Sequence, residues 1–580
     1  MYSGMFCISH HLVARPAWWA DVRLRRGRIG VACCGLAVTL ALPAQAQTRP
    51  DAGRILQETR PADAPPPVSV PPIQAPAQPR APVPAVSGDV RVQVTHFDFT
   101  GNRALSTETL RAAVAAWAGR SLSFGDLIEV VEAVEAHYKQ AGYFLAQGYL
   151  PPQKIKDGAI EIAISEGRMG EARLEGESRI APDVLFSYLD RLPKGQALTL
   201  AVVERQVLLI NELAGGRTSL DLQAGEQPGS TDIVLAQQTE SLVSGRAEVN
   251  NHGSPSTGDK RLSLNLNANS PFNYGERITA SILTTDTGKL TSYNLRGDIP
   301  VGGDGWRISA TASRAEYSLG GAFTALRASG QADSWRLGAA YPVIRSRAAN
   351  LKLQIEADHS KLIDTFRTAG TENDKRNRGL TATASGDWLD DFLGSSSTRA
   401  ELAVRTGRLK LDPTAAAQDA PPSGSGTAGS YTKATLTAQR QQGISQALSL
   451  QANLTWQIAG KNLDSSEKLS LGGQATLPGY ANGESSGDSG VSAKLALRWQ
   501  ALPELALTAF TDYARLKLAH RPLPTATNNT KRLTDAGLGA DWLVGHGFTA
   551  SAILAWAGKE VPNAADNDRP RLWFSLGYGW

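Results

Sequence analysis

From about Leu242 to the last residue, apolar side chains recur at every second position in stretches of about ten residues. Leu262, Leu264 and Leu266 alternate with Ser263, Asn265 and Asn267, and Leu351, Leu353, Ile355 and Ala357 with Lys352, Gln354, Glu356 and Asp358. Leu448, Leu450, Ala452, Leu454 and Trp456 repeat the pattern, as do Ala493, Leu495, Leu497 and Trp499. Gly, Asn, Asp and Ser turns separate the stretches. A strand so built has one apolar and one wet face, as it would between lipid and a water-filled lumen. At roughly twenty residues per strand and connection, residues 242–580 make about sixteen antiparallel strands, a barrel wide enough for a channel unless something fills it. A soluble sandwich of the same strands would leave a large apolar area exposed.

Before residue 242 the period changes. Residues 89–168 read β-α-α-β-β: a strand through Val90, Val92, Val94, Phe97 and Phe99, a helix from Ser106, a second from about Phe124 to Gln140, then strands at Phe144–Leu150 and Ala159–Ser165. In the second helix Leu127, Val130, Val131, Val134 and Tyr138 fall at helical spacing. Residues 169–241 repeat the order, with helices from about Ala181 to Leu192 and Ala201 to Leu213. Ahead of both, residues 61–88 form a Pro-rich linker, extended at roughly 3 Å per residue. Residues 47–60 hold one short helix, too short to be stable alone, which therefore docks elsewhere.

The N-terminus reads as an export leader. Arg23, Arg25, Arg26 and Arg28 precede an apolar run from Ile29 to Leu42 and a small-residue site at Ala44-Gln45-Ala46, predicting a signal peptide over 1–46. The chain of 580 residues has a net charge of +4 and three cysteines, and the leader accounts for both. It carries five arginines against one acid, together with Cys7, Cys33 and Cys34. The remainder is neutral and thiol-free, which excludes disulfides, catalytic thiols and cysteine-ligated metals there. Nine of the twelve tryptophans lie beyond residue 242, as an interfacial girdle requires. Leu572, Phe574, Leu576, Tyr578 and Trp580 share one face of a last strand.

In the first module stand Tyr138, Gly142-Tyr143, Pro151, Gln153, Asp157-Gly158 and Glu166-Gly167. The barrel region opens with Asn250-Asn251-x-Gly253-Ser254 and Ser256-Thr257-Gly258, and contains Leu471-Gly472-Gly473, Gly479-Tyr480, Gly483-Glu484 and Gly487-Asp488. Together these resemble the two-partner secretion transporters, the TpsB family of the haemolysin/haemagglutinin activation-secretion type. The resemblance covers nearly all of the chain after the leader. It implies two periplasmic α+β POTRA modules, 89–168 and 169–241, before a sixteen-stranded transmembrane β-barrel in the bacterial outer membrane. It also implies that the helix in 47–60 plugs the pore, and that Phe574, Tyr578 and Trp580 form the C-terminal signal read by the barrel assembly machinery. The partners so implied are outer-membrane lipid and a secreted exoprotein, an adhesin or cytolysin that crosses unfolded without ATP. No cofactor, metal or nucleic acid is expected.

One departure from the family pattern concerns the lid loop. The family has Arg before Gly-Tyr, where this chain has Pro478-Gly479-Tyr480. Its barrel-wall partner, Phe-x-Asp-x-Gly, is here Phe510-Thr511-Asp512-Tyr513-Ala514, with Phe510 and Asp512 expected in the lumen. The lid is thus expected to dock less tightly unless another arginine neutralises Asp512.

Enzyme motifs are weak. Gly483-Glu484-Ser485-Ser486-Gly487 matches G-x-S-x-G but lies in a polar loop rather than between strand and helix. Gly424-Ser425-Gly426-Thr427-Ala428-Gly429 follows Pro421-Pro422, not a strand. The histidines show no ligand spacing. The chain is therefore expected not to be an enzyme. The competing readings are an assembly factor that inserts other barrels, whose relatives also carry POTRA modules, and a diffusion porin, which would not need residues 89–240.

Overall fold

The computed structural model describes residues 50–60, 91–227, 229–558 and 570–580. The expected leader and the linker 61–88 lie outside the described residues. Helix α1 (Ala52–Glu58) is capped by Asp51, whose side chain accepts from the Arg54 N–H.

The first module consists of β1 (Arg91–Gln93), β2 (His96–Thr100), α2 (Thr107–Ala113), β3 (Ser121–Ser123), α3 (Phe124–Gln140), β4 (Gln147–Tyr149) and β5 (Ala159–Ser165). The strand expected through Val90–Phe99 is broken into β1 and β2, and β1 pairs with β3, a three-residue strand too short to carry a periodic signal in the sequence. Ser123 and Asp126 close a capping box on α3, and the backbone N–H of Ser123 holds the Asp126 carboxyl below its ordinary range. The sheet order is β2-β5-β4, with β2 parallel and β4 antiparallel to β5. Leu127, Val130, Val131, Val134 and Tyr138 are buried against Phe97, Ile160 and Ile162.

The second module runs β6 (Arg168–Glu175), α4 (Pro182–Leu189), α5 (Leu200–Ile210), β7 (Gly216–Ala224) and β8 (Ser230–Thr239). Its sheet order, β6-β8-β7, has the same parallel and antiparallel senses as the first. It sits on one rim of the barrel. Glu212 and Glu204 pair with Arg345 and Arg347 at 2.6 and 2.7 Å, and Arg205 donates to the Pro342 carbonyl at 2.8 Å.

The barrel closes with sixteen strands among the described residues, from Val243–Asn250 to Arg571–Gly579, every neighbour antiparallel. Closure leaves no unpaired edge in the hydrocarbon. At the seam Gly245 and Trp580 exchange backbone hydrogen bonds. Asn251 extends the seam through its amide, accepting from the Phe574 N–H at 2.7 Å and donating to the Leu572 carbonyl at 2.8 Å. The alternation sorts as expected: Leu262, Leu353, Ile355, Trp456, Leu495 and Trp499 face outward, and Asp358, Lys375, Asn377 and Asp512 face the lumen. Eight of the nine barrel tryptophans are outward. The ninth, Trp573, is 5% exposed and points inward.

Candidate functional site: the closed lumen

Two segments occupy the lumen, and they touch. Helix α1 lies against the wall formed by strands Trp306–Ser318, Ala328–Arg345 and Ala349–Phe366, burying Ala52 and Ile55 among Leu290, Tyr317, Ala332, Leu362 and Phe366. The second segment, residues 460–488, connects two barrel strands at the rim away from the modules and folds back inside. It contains a short hairpin, Leu469–Leu471 with Ser485–Gly487.

Charged and polar contacts hold helix and loop together. Lys375 of the wall lies 2.9 Å from Asp464 of the loop, 3.3 Å from Asp51 at the helix cap and 3.8 Å from Asp364 of the wall. Asp364 also accepts from the Ala52 N–H at 2.8 Å, and Ser465 donates to Asp51 at 2.6 Å. Gln57 donates to the Ser465 and Lys468 carbonyls, Arg54 to the Asn482 carbonyl, and Glu58 pairs with Arg261 at 3.2 Å. Gly53 is the residue that permits this contact. A Cβ there would lie 2.6 Å from Ser465 Oγ and 2.8 Å from the Ser466 nitrogen.

The loop is pinned separately at Glu467, which meets Lys433 at 3.0 Å, Arg405 at 3.1 Å and the Asn377 amide at 2.7 Å. Its buried Asp488 pairs with Lys468 at 3.2 Å and accepts from the backbone N–H groups of Leu463 and His520.

The tip of the loop carries the Pro478-Gly479-Tyr480 motif. Leu477 and Tyr480 are buried with Leu471, Ala514, Leu516 and Leu533. The Gly479 N–H donates to Asp535 at 2.7 Å, Tyr480 to the Thr534 carbonyl at 3.0 Å, and Trp573 to the Pro478 carbonyl at 2.8 Å. Trp573, Asp535 and Lys494 were not recognisable from the sequence. Phe510 and Asp512 both face the lumen, with Asp512 beside Asp535 on the next strand. The cation on Asp512 comes from the wall: Lys494 lies 3.5 Å from it and 4.6 Å from the Phe510 ring centre. It is a lysine on the wall, not the arginine that the family pattern carries before Gly479-Tyr480.

The signature residues of the first module brace that module. Glu166 accepts from the Arg103 and Ala104 N–H groups at 2.6 and 2.7 Å and from the Tyr138 hydroxyl at 2.9 Å. Burial, and then the Glu166 acceptor, push the Tyr138 phenol well above its usual range, so it stays a neutral donor. Gly142, at φ +90°, ends α3 in a Schellman turn in which Tyr143 N–H reaches the Tyr138 carbonyl at 2.9 Å. Asp157 and Gly158 form a positive-φ turn, and Gly158 accepts from Thr95 N–H. Gly167, at φ +67°, abuts Leu145. Gln153, just past Pro151, donates to and accepts from the backbone of Glu161, completing strand β5 where β4 stops. Strand 159–165 is thus the central strand, not a free edge; the open edges are β2 and β4, and in the second module β6 and β7.

Phe574, Tyr578 and Trp580 project outward, and Tyr578 packs on Phe548 and Trp580. Ser485 of the G-x-S-x-G match lies in the short hairpin, not on a strand-to-helix elbow, and Gly424–Gly429 leads into a barrel strand.

Comparison with known proteins agrees with this architecture. Residues 229–540 match the family described as haemolysin secretion/activation protein ShlB/FhaC/HecB, and residues 92–167 match the ShlB-type POTRA domain. The chain is 24% identical to the heme/hemopexin transporter protein HuxB of Haemophilus influenzae (strain 86-028NP), over 82% of this chain and 84% of that one. It is 24% identical to the outer membrane transporter CdiB of Escherichia coli, over 68% and 67%. The solved structure of CdiB from Escherichia coli superposes with a TM-score of 0.67 at 19% identity, covering 87% of this chain and 94% of that one. The sixteen-stranded barrel, the POTRA domain and the match over residues 229–540 place this chain in the haemolysin secretion/activation family of ShlB, FhaC and HecB.

Proposed function

We propose that this protein is the outer-membrane transporter of a two-partner secretion pair. It takes an unfolded exoprotein from the periplasm and passes it through the barrel without nucleotide hydrolysis. The observation that carries this reading is the form of the lumen closure. A separate N-terminal helix and an inward loop fill the pore, joined to each other by hydrogen bonds and through the Lys375 cation that both share. Polar contacts of this kind can be exchanged for water or for a passing polar chain without exposing a large apolar core.

On this reading α1 is the plug, residues 460–488 are the lid, and β6–β8 with α4 and α5 form a second POTRA module. The exoprotein docks in extended form by adding a strand to an open edge, which gives sequence-tolerant affinity through the backbone. Strand β7, nine residues long and paired on one side only, is the longest such edge in either module. The chain acts as a conduit rather than an enzyme. Lipid surrounds its outward apolar face, and the aromatic last strand is the signal for the barrel assembly machinery.

The test is capture of periplasmic clients by the full-length protein. Retention of one large exoprotein, lost on substituting prolines into β7, supports secretion. Retention of many barrel precursors would support assembly instead.

A further inference from the structure

The outward face of the barrel carries a cationic cleft that lies outside the lumen. Four neighbouring strands contribute two rows of register partners. One row is Trp335, His359, Arg378 and Arg408; the next, nearer the outer rim, is Lys361, Arg376 and Lys410. Trp335, His359, Lys361, Arg376, Arg378 and Lys410 line a cleft of about 330 Å³, with the Trp335 and His359 rings stacked at 6.0 Å. Immediately below, on the same face, come Leu337, Ile355 and Leu380, each about half exposed.

Two carboxylates lie among these cations, and both are committed. Asp333 takes Arg314 at 2.7 Å, and Asp374 takes Arg376 at 3.2 Å and Lys361 at 3.9 Å. Among the described residues no carboxylate comes within 4 Å of Arg378, Arg408 or Lys410. The like charges on adjacent strands repel, and such pairs are destabilising unless an anion sits between them.

The height of the cleft relative to the apolar band narrows the source of such an anion. Trp388 lies at the opposite end of the strand that carries Arg378, ten residues away. At about 3.3 Å per residue and a tilt of about 40°, that spans about 25 Å, the height of the apolar band of such barrels. Trp388 lies toward the rim that holds the second module, so the Arg378 row marks the outer boundary of the hydrocarbon.

We propose that this cleft binds the phosphorylated headgroup of an anionic lipid of the outer leaflet. Arg376, Arg378 and Lys410 would hold phosphate oxygens, and Trp335 and the leucines below would lie along the acyl chains. The inference rests on the outer-membrane placement of the barrel and is independent of which exoprotein is carried.

The test is native mass spectrometry of the full-length protein from detergent. It is titrated with diphosphorylated lipid A, with dephosphorylated lipid A, and with inorganic phosphate as competitor. The wild type should retain the phosphorylated lipid at least about tenfold more tightly, the worth of one or two charge-assisted contacts. The variant Arg376→Gln/Arg378→Gln/Lys410→Gln, shown to be folded by heat-modifiable migration, should lose that preference. Three results would each overturn the proposal: no phosphate preference in the wild type, an unchanged preference in the folded triple variant, or displacement of the lipid by equimolar inorganic phosphate. The readout does not pass through secretion, so the lipid site and the transport reading stand or fall separately.

Discussion

Lys375 and Asp51 form a 3.3 Å ion pair that ties the barrel wall to the N-cap of helix α1. The same ammonium holds Asp464 of the 460–488 loop at 2.9 Å, so one wall residue pins both occupants of the lumen.

Replacing Lys375 with Met should leave Asp51, Asp364 and Asp464 converging without their shared cation. Breaking a largely buried pair in this way costs of the order of 3 kcal/mol, about a hundredfold in the closed-to-open ratio. The expected outcome is a marked rise in open-channel conductance in planar bilayers. Wild-type conductance would show that the plug is held elsewhere.

Helix propensity and packing make opposite predictions at Gly53. Alanine improves a helix interior by about 1 kcal/mol. Here its Cβ would meet Ser465 Oγ at 2.6 Å and the Ser466 nitrogen at 2.8 Å. Gly53→Ala should therefore separate plug from lid and raise conductance despite the better helix former.

The lid tip docks on Asp535 through a backbone N–H, while Lys494 on the wall supplies the charge for Asp512. Lys494→Met should leave the adjacent Asp512 and Asp535 carboxylates uncompensated and loosen the lid. Adding Pro478→Arg should restore closure by bringing the cation from the lid. If the double variant is as open as Lys494→Met alone, position 478 does not face this carboxylate pair.

Glu166 satisfies three donors in the first module. Glu166→Ala would orphan them at a cost of about 2–4 kcal/mol, whereas Tyr138→Phe removes one at about 1 kcal/mol. Limited proteolysis of the full chain in rising urea should show residues 91–167 opening earlier in that order, with the barrel unchanged.

The alternation of Leu262, Leu353 or Leu495 with polar neighbours made the barrel legible, because a strand between lipid and water has a period of two whatever its partners. The helices of both modules were legible for the parallel reason of helical period. The latch was not. Lys375, Asp464 and Glu467 occupy ordinary wet positions or an ordinary polar loop, and their meeting with the helix depends on closure of a ring: Ser465 and Asp51 are 414 residues apart. That strand β5 is central rather than an edge is equally invisible in its residues, which look no different from those of an edge strand. Only pairing with both β2 and β4 makes it central. Trp573, grouped by composition with the lipid-facing girdle, sits one residue out of phase with Phe574 and so faces the lid.

On the transport reading, helix α1 and the 460–488 loop must part before a chain can cross the lumen. Ser465 Oγ lies 2.6 Å from Asp51 Oδ2, and the sequence beyond Cys34 contains no cysteine. Asp51→Cys with Ser465→Cys places two thiols on the neighbouring backbones that this hydrogen bond joins, and oxidation can link them where they reach a bond of about 2 Å. The measurement is exoprotein released to the medium by cells carrying this pair, before and after a reductant. No release is expected while the disulfide is intact, with recovery on reduction and with either single cysteine secreting throughout. Undiminished secretion with the disulfide demonstrably formed would show that helix and loop need not part.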